Sequence, residues 1–543
     1  MSKGGKQSKN WIWWKHGVVY QIYPRSFYDS NGDGIGDIPG IIQKLDYLTS
    51  LGIDAVWLSP VYESPMYDFG YDIRNYRNID PIFGTLHDFK VLLKEAHHRN
   101  IRIIMDMVMN HTSHQHPWFL ESKASRSNAK RNWYIWSNGK GPLPPNNWLS
   151  AFGGSAWEWD SSTEQYYMHS FLKEQPDLNW RNEEMADTFF QEITFWLNLG
   201  VDGFRLDVIN WIGKDKKFRD NPFWLKLLGI QKHQYDRNRA ISHKVVKRLR
   251  KQLDAHKDKL LVGEVFVFPP GNPALAASYL GKNNDELHLA FDFSLIYRWW
   301  SAKLFYKCLK RWYDHIPENG WPALVLSNHD MPRAISRYGK GREKTKKARV
   351  AAFLILTAKG TPFLYYGEEI GMPNLKLPKS QISDPLGKRY WPIYPGRDPS
   401  RAPMQWSSER YAGFSTTTPW IKVDPCYKKV NVEDQQKDHH SLLNTYQKLI
   451  QLRKKSWALQ AGDHQFVKTG RNGILAYLRI YGSEKMLVVL NFSGQEREAE
   501  IPEKSGIEWA VVAATHLPVG TYFEKLQFKL NPYEAIVLKK LPS

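Results

Sequence analysis

Gly203-Phe204-Arg205-Leu206-Asp207-Val208-Ile209-Asn210 is the stretch that decides the fold, and it follows an apolar, helix-like run containing Phe195, Trp196 and Leu199. Read as a strand, 203–207 puts Arg205 and Asp207, two residues apart, on one face. A guanidinium and a carboxylate then share one small space, and the cation favours the ionised carboxylate. Such a pair suits a nucleophile or an electrostatic stabiliser, and equally a structural ion pair at a strand end. The surrounding chain decides between these uses.

Outward from this stretch, short apolar runs alternate with amphipathic helical segments, the pattern of strands and crossover helices. Segments 18–23, 55–58 and 101–108 precede it as strands one to three; 203–207 is strand four; 260–264, 289–293, 324–327 and 362–366 follow as strands five to eight. Between them stand helical signals. Ile41, Ile42, Leu45 and Leu48 form one stripe closed by Gly52, Thr85 and Asp88 form a capping box ahead of Phe89, and 187–199 is a further helix. Eight repeats give an α/β fold, a closed (β/α)8 TIM barrel. Within 112–175 the alternation stops in favour of Ser, Asn, Gly, Pro and Trp with no clear helix. A segment of that length is expected to be a small inserted domain after strand three, not a loop. The barrel then takes 1–111 and 176–457, with 441–455 as its last helix. Residues 458–543 carry short strands separated by turn residues, an all-β C-terminal domain expected to be a β-sandwich.

Hydrophobic residues, 42% of 543, suffice for a large core, and no uninterrupted apolar run approaches the ~18 residues of a membrane span. Residues 1–10 are polar, and the apolar run Trp11-Ile12-Trp13-Trp14 is too short for a signal-peptide core. Two cysteines, Cys308 and Cys426, exclude a disulfide framework. These features predict a cytoplasmic protein with no membrane partner; they do not give the oligomeric state, for which a monomer is favoured. The excess of basic over acidic residues, 75 against 55, raises the question of a polyanionic partner. Around Lys247, Arg248, Arg250 and Lys251, however, Val245, Leu249 and Leu253 recur every four residues, so this charge is the solvated face of a helix. With no recognisable module, nucleic-acid binding is not expected. Aromatic residues make up 14% of the chain; many belong to the core, and the abundance also suits flat platforms for the C–H faces of sugar rings.

Catalytic groups of such barrels sit at the carboxyl ends of the strands. Those ends carry Asp106 and His111, Arg205 and Asp207, Glu264, and His329 and Asp330. Two carboxylates about 5–5.5 Å apart support glycosyl transfer with retention, one as nucleophile and the other as acid and then base. Asp207, beside Arg205, is the candidate nucleophile. Glu264, following Gly263 in an apolar strand, is the candidate acid/base, because desolvation and a neighbouring carboxylate raise a pKa.

Asp106-Met-Val-Met-Asn-His111, Gly203-Phe-Arg-Leu-Asp207, Gly263-Glu264 and Ser327-Asn-His-Asp330 resemble the four sequence blocks of the α-amylase family, glycoside hydrolase family 13. Gln175-Pro-Asp-Leu-Asn-Trp180 resembles the fifth block of its oligo-1,6-glucosidase and α-glucosidase branch, and Tyr20-Gln-Ile-Tyr-Pro-Arg25, Phe69-Gly-Tyr-Asp72 and Arg401-Ala-Pro-Met-Gln-Trp406 extend the likeness over nearly the whole chain. The resemblance implies Asp207 as nucleophile, Glu264 as acid/base, and Asp330 as a third carboxylate that binds sugar hydroxyls and favours ring distortion. It implies a small oligosaccharide as substrate, its terminal glucose held by Asp68, Tyr71, His111, Arg205, His329 and Arg397, with Phe152 and Phe171 as aromatic walls. In Asp29-Ser-Asn31-Gly-Asp33-Gly34-Ile35-Gly-Asp37 oxygen ligands alternate as for a hard cation, but Gly40 stands where an EF-hand needs Glu. Here the resemblance implies one structural Ca2+ or Mg2+ on the side chains of Asp29, Asn31, Asp33 and Asp37 and the carbonyl of Ile35, and no organic cofactor. A metal-free Asp/Gly turn is the alternative.

Val208 bears on linkage, because a β-branched side chain beside the nucleophile narrows the space for the leaving sugar, and a methyl group or two shifts selectivity by about 1–3 kcal/mol. Val at this position resembles the α-1,6-acting enzymes of the branch, and Ala or Thr the α-1,4-acting ones. Val265-Phe266-Val267 departs from the Met-Pro-Gly that follows the acid in oligo-1,6-glucosidases. The expected function is a retaining exo-acting α-glucosidase that releases glucose from the non-reducing end of short α-glucosides and prefers α-1,6 linkages, as in isomaltose and panose. A maltase, a sucrose isomerase or a trehalose synthase would share the catalytic residues. The isomerase's Arg-Leu-Asp-Arg-Asp is absent, and Leu295-Ile-Tyr-Arg-Trp299 stands near its place. Intact Asp207, Glu264 and Asp330 disfavour a non-catalytic transporter-associated homologue.

Overall fold

The structure, a computed structural model, describes residues 11–225, 230–266, 271–339, 341–469, 473–502 and 508–541; the polar segment 1–10 and Val267 lie outside them. The barrel strands are β1 (Val19–Ile22), β2 (Ala55–Leu58), β3 (Arg102–Val108), β4 (Gly203–Asp207), β5 (Leu260–Glu264), β6 (Leu289–Phe291), β7 (Ala323–Val325) and β8 (Thr361–Tyr365). Their order is β6-β5-β4-β3-β2-β1-β8-β7, and each of its seven pairings is parallel. The three-residue β6 and β7 lie side by side and complete the ring without a ladder pairing among the described residues. Register fixes the chemistry: Asp106 stands opposite Arg205, and Gly263 opposite Leu206.

Strands buried on both faces read as continuous apolar runs, which is why these segments are legible in the sequence. One core lies between strands and helices. A second fills the barrel with Val19, Trp57, Ile104, Val262, Phe291 and Phe363. Trp13, from the short helix Trp13–His16, closes the lower end and donates its indole N–H to the carbonyl of Asp258 at 2.9 Å. Polar groups are thereby confined to the carboxyl end.

The Thr85 capping box forms with both of its reciprocal bonds, and Gly52 ends its helix with φ +91°. The stripe from Ile41 to Leu48 is not one helix, however: Ile38–Gln43 and Leu45–Leu51 are separated at Lys44, whose φ/ψ of −105°/7° breaks the turn. The insertion also differs from its reading, since it contains a helix, Pro117–Ala124, started by the imidazole of His116 on the amide of Trp118. Its Pro- and Trp-rich composition conceals that helix. A three-stranded antiparallel sheet, Trp136–Ser137, Gln165–Met168 and Trp157–Asp160, completes it around Ile135, Trp148, Trp157 and Met168.

Beyond the barrel, Asp463–Val467, Ile474–Tyr481, Glu484–Asn491, Trp509–Ala514, Tyr522–Phe523 and Ala535–Lys540 make a six-stranded sheet. The pair Arg497–Glu500 and Gln527–Leu530 packs on it through Ala499 and Leu530. Arg453 and Arg479 staple this unit to the barrel without any carboxylate. Arg479 donates to the carbonyls of Thr357 and Gly462, and Arg453 to those of Leu356, Gly360 and Leu459, several of them unpaired carbonyls at the end of helix Lys344–Thr357. Burial pulls their pKa values down to about 9 and about 10. No helix among the described residues is long and apolar enough to cross a membrane.

Candidate active site

At the carboxyl end of the barrel lies a pocket of about 230 Å3. Ten of the twelve residues expected to hold or cleave the sugar line it: Asp68, Tyr71, His111, Phe152, Phe171, Asp207, Val208, Glu264, Asp330 and Arg397. Arg205 and His329 lie just beneath, where they hold the others in place.

Arg205 is the hub. It is 2% exposed, and its Nη1 donates to Asp106 Oδ1 at 2.6 Å and Asp207 Oδ1 at 2.8 Å, while its Nη2 donates to Glu264 Oε2. Asp106 also accepts from the Trp57 indole at 3.2 Å and the Tyr71 hydroxyl at 3.1 Å. Three carboxylates thus share one guanidinium. Burial pushes Asp207 and Glu264 up; Arg205 opposes this, and repulsion from neighbouring carboxylates adds to it. The pair therefore retains a proton more readily than ordinary carboxylates and titrates as a unit.

Asp330 is set the other way. Burial alone would raise it, but His329 when charged, with Arg397 and Arg401, holds it below the usual range. Burial brings His329 itself down to about 3, so at neutral pH the cations facing Asp330 are Arg401 at 2.9 Å and Arg397 at 3.7 Å. The neutral imidazole is oriented by a chain of bonds: Gln21 Nε2 donates to His329 Nδ1 at 2.7 Å, and His329 Nε2 donates to the Tyr71 hydroxyl at 2.6 Å. His111 is neutral too, brought down to about 4 by burial, and its Nε2 lies 3.1 Å from the Tyr71 carbonyl.

At the far end, Arg397 spans Asp68 and Asp384, each at 2.6 Å, with its guanidinium 5.3 Å from the centre of the Phe152 ring. Asp384 in turn caps the helix Pro385–Tyr390. Phe171 stacks on Trp211 with centroids 5.0 Å apart, and Arg237 lies 3.5 Å over the other ring of that stack. Val208, directly after Asp207, adopts φ +35°, ψ +44°, a left-handed conformation that is strained for a β-branched residue. Its amide lies 3.5 Å from Glu264 Oε2.

Several site residues escape sequence reasoning. Trp211 ends a single 3-10 turn, Ile209–Trp211, and Asp384 caps a short helix, neither with a sequence pattern of its own, and the wall formed by Phe266, Phe293, Tyr297, Met331, Leu386 and Tyr394 is assembled from four separate segments. Phe293 and Met331 could have been found as near neighbours of strand ends six and seven. Lys214 is the least legible. Fully buried, it donates to Asn110 at 3.1 Å, Ser170 at 2.9 Å and the Trp211 carbonyl, and it pairs with Asp177 at 3.0 Å. One ammonium thereby ties the end of β3, the insertion and the loop after β4.

The family description "Alpha amylase, catalytic domain" matches residues 21–462, and "Maltogenic Amylase, C-terminal domain" matches residues 464–537. The chain belongs to the α-amylase family. It is a glycoside hydrolase of that family, similar to the oligo-1,6-glucosidase of Parageobacillus thermoglucosidasius, with 40% identity over 98% of this chain and 100% of the relative. Among solved structures, the alpha-glucosyl transfer enzyme XgtA superposes with a TM-score of 0.92 at 36% identity, covering 98% of this chain and 100% of that one. The isomaltulose synthase of Erwinia rhapontici in complex with sucrose gives 0.90 at 36% identity, covering 98% and 99%.

Replacing Lys214 with Met leaves Asp177 buried without its counter-ion, though still hydrogen-bonded by Asn110 and Ser170, which costs about 3 kcal/mol. Thermal unfolding is expected to show a clear fall in Tm for Lys214→Met; an unchanged Tm would refute the clamp.

Proposed function

We propose that this enzyme is a retaining, exo-acting α-glucosidase that releases glucose from the non-reducing end of short α-glucosides and prefers α-1,6 linkages. The observation that carries the reading is the placement of Asp207 and Glu264 on two nitrogens of one guanidinium, the close pairing that a retaining enzyme needs. The Asp68–Arg397 ion pair closes the far end of the pocket. A chain continuing past the terminal glucose would meet it, which supports exo action.

In the first step the proton held by the carboxylate pair lies on Glu264 and passes to the glycosidic oxygen, while Asp207 attacks C1 from the opposite face and the leaving alcohol departs. Asp330, kept ionised by Arg397 and Arg401, faces the positive charge that develops on the ring. Arg205 then stabilises Asp207 as the carboxylate that departs when water, deprotonated by Glu264, attacks C1. Two inversions give α-glucose.

Linkage preference rests on Val208 and on the name of the P. thermoglucosidasius relative. An α-1,6 bond carries an extra methylene between the oxygen and the leaving ring, which moves that ring away from the Val208 methyl groups. Wild-type protein is expected to show a higher kcat/KM on isomaltose than on maltose. Val208→Ala should shift that ratio toward maltose by about 1 kcal/mol, roughly fivefold. Equal or faster turnover of maltose by the wild type would refute the preference.

The loop 29–37 is proposed to hold one hard cation, Ca2+ or Mg2+. Asp29 and Asp37 are buried with no cationic side chain paired to them among the described residues, and the Ile35 carbonyl accepts no hydrogen bond there. These oxygens fit such an ion. In the structure the turn is held by its own amides, with Asp29 accepting from Gly32 and Gly34 at 2.8 Å and Asp37 from Gly40 at 2.6 Å. Among the described residues no group of three or more His, Cys, Asp or Glu side chains is already arranged to hold a metal ion, so binding would require Asp33 to turn inward. When bound, the ion would neutralise the loop's carboxylates and brace the turn after β1. Chelation is expected to lower Tm and added Ca2+ to restore it; a Tm indifferent to both would refute the site.

A further inference from the structure

On β1, Val19 faces the barrel interior while Tyr20 and Ile22 pack outward, so Gln21, 1% exposed, points inward with Val19. An amide buried there is costly unless its hydrogen bonds are made. Its nitrogen lies 2.7 Å from His329 Nδ1 and 3.3 Å from the Ser59 hydroxyl. Among the described residues no other side chain bonds Nδ1.

Counting protons fixes the direction of that bond. On the far side of the ring, Nε2 faces two oxygens, the Tyr71 hydroxyl at 2.6 Å and Asp330 Oδ2 at 3.2 Å. The hydroxyl has one proton to give, and Asp106 Oδ2, at 3.1 Å, takes it: Asp106 is paired with Arg205, and the same oxygen already accepts from the Trp57 indole. Asp330, held by Arg401 and Arg397, can likewise only accept. Both oxygens at Nε2 therefore require a donor, so Nε2 carries the N–H and Nδ1 is bare. Turned over, the Gln21 amide would set its oxygen on Nδ1 and draw the proton there, leaving the lone pairs of Nε2 and Asp330 opposed. The other titratable or charged groups around the ring are Tyr23, stacked at 6.3 Å, Tyr71, stacked at 5.6 Å, and Arg205, Arg397 and Arg401. Burial, aided by the three arginines against Asp330, keeps a second proton off the imidazole.

We infer that Gln21 is a positioning residue of the reaction, an inference that rests on the glucosidase reading above: its amide N–H selects the Nε2–H tautomer of His329 and thereby fixes Asp330 and Tyr71 in the orientation that glucose requires. Exchanging this donor for an acceptor reverses the choice. In Gln21→Glu, the introduced carboxyl and the imidazole together hold one extra proton at low pH, and Nε2–H stays in place. Once that proton is lost, the one that remains lies on Nδ1 against the carboxylate, and a bare Nε2 faces Asp330. An imidazole held in the wrong tautomer slows a hydrolase by orders of magnitude even with the geometry intact.

The test measures kcat/KM for isomaltose between about pH 5 and about pH 8 in the wild type, Gln21→Glu and the similarly sized Gln21→Met, with circular dichroism confirming the fold at each pH. The ratio of the rates at the two ends is independent of the amount of folded enzyme. For Gln21→Glu the acid-to-alkaline ratio is expected to exceed that of the wild type by about tenfold or more, the mark of an added ionisation. Gln21→Met, which adds no titrating group, should lose kcat at every pH with a profile parallel to the wild type. A second measurement needs no variant of Gln21: in wild-type protein labelled at the histidine ring nitrogens, long-range proton–nitrogen NMR correlation is expected to show the His329 proton on Nε2 and a bare Nδ1, the signals being identified by their loss in His329→Asn. A proton on Nδ1, a Gln21→Glu profile parallel to the wild type, or a Gln21→Met enzyme of undiminished kcat would overturn the assignment while leaving the glucosidase intact. No glucose release by the wild type from any α-glucoside would overturn the glucosidase reading and this inference with it.

Discussion

Arg205 sits nearly solvent-free at the centre of the barrel's upper end and bonds Asp106, Asp207 and Glu264 at once. One cation among three carboxylates leaves an excess of negative charge in a low-dielectric site, and a buried charge without compensation is among the most destabilising features a protein can carry. The structure answers by surroundings that push the Asp207 and Glu264 carboxyls up and so favour their protonated forms, by placing neutral imidazoles at His111 and His329, and by adding Arg397 and Arg401 on the side of Asp330. The arrangement that makes the site tolerable is also the one on which the proposed acid and nucleophile depend. Remove the guanidinium and both properties go together.

The barrel supplies the rigidity this requires. Asp106, Arg205 and Glu264 lie on three neighbouring parallel strands whose register is fixed by ladder bonds, so their separation does not depend on loops. Loops and the insertion supply what differs between the two halves of the pocket. Lys214 and Trp211 lock the insertion against the polar side of the pocket, while the helix Pro385–Tyr390 and the segment that follows it to Gly396 form part of the apolar side. The polar and apolar sides of the pocket are therefore held by separate parts of the chain.

The strands and the candidate catalytic residues are legible in the sequence for the same reason. Buried parallel strands leave continuous apolar runs, and a charged residue at the end of such a run, as in Gly203–Asp207 or Leu260–Glu264, stands out against them. The helix Pro117–Ala124 is hidden because its capping group is a histidine and its composition is that of a loop. The break at Lys44 leaves no mark on a stripe whose apolar spacing continues through it. Lys214 and the apolar wall are invisible for another reason: each depends on residues brought together from distant segments, and no local pattern records that.

The central claim is that Asp207 forms the covalent bond to glucose. Incubation with a slow-turnover fluorinated α-glucosyl donor, followed by proteolysis and mass spectrometry, locates that bond directly. The account predicts one glucosyl adduct per chain, on the peptide carrying Asp207, and its loss in Asp207→Asn. An adduct on Glu264 or Asp330, or a first-formed product of inverted configuration with no adduct, would contradict it.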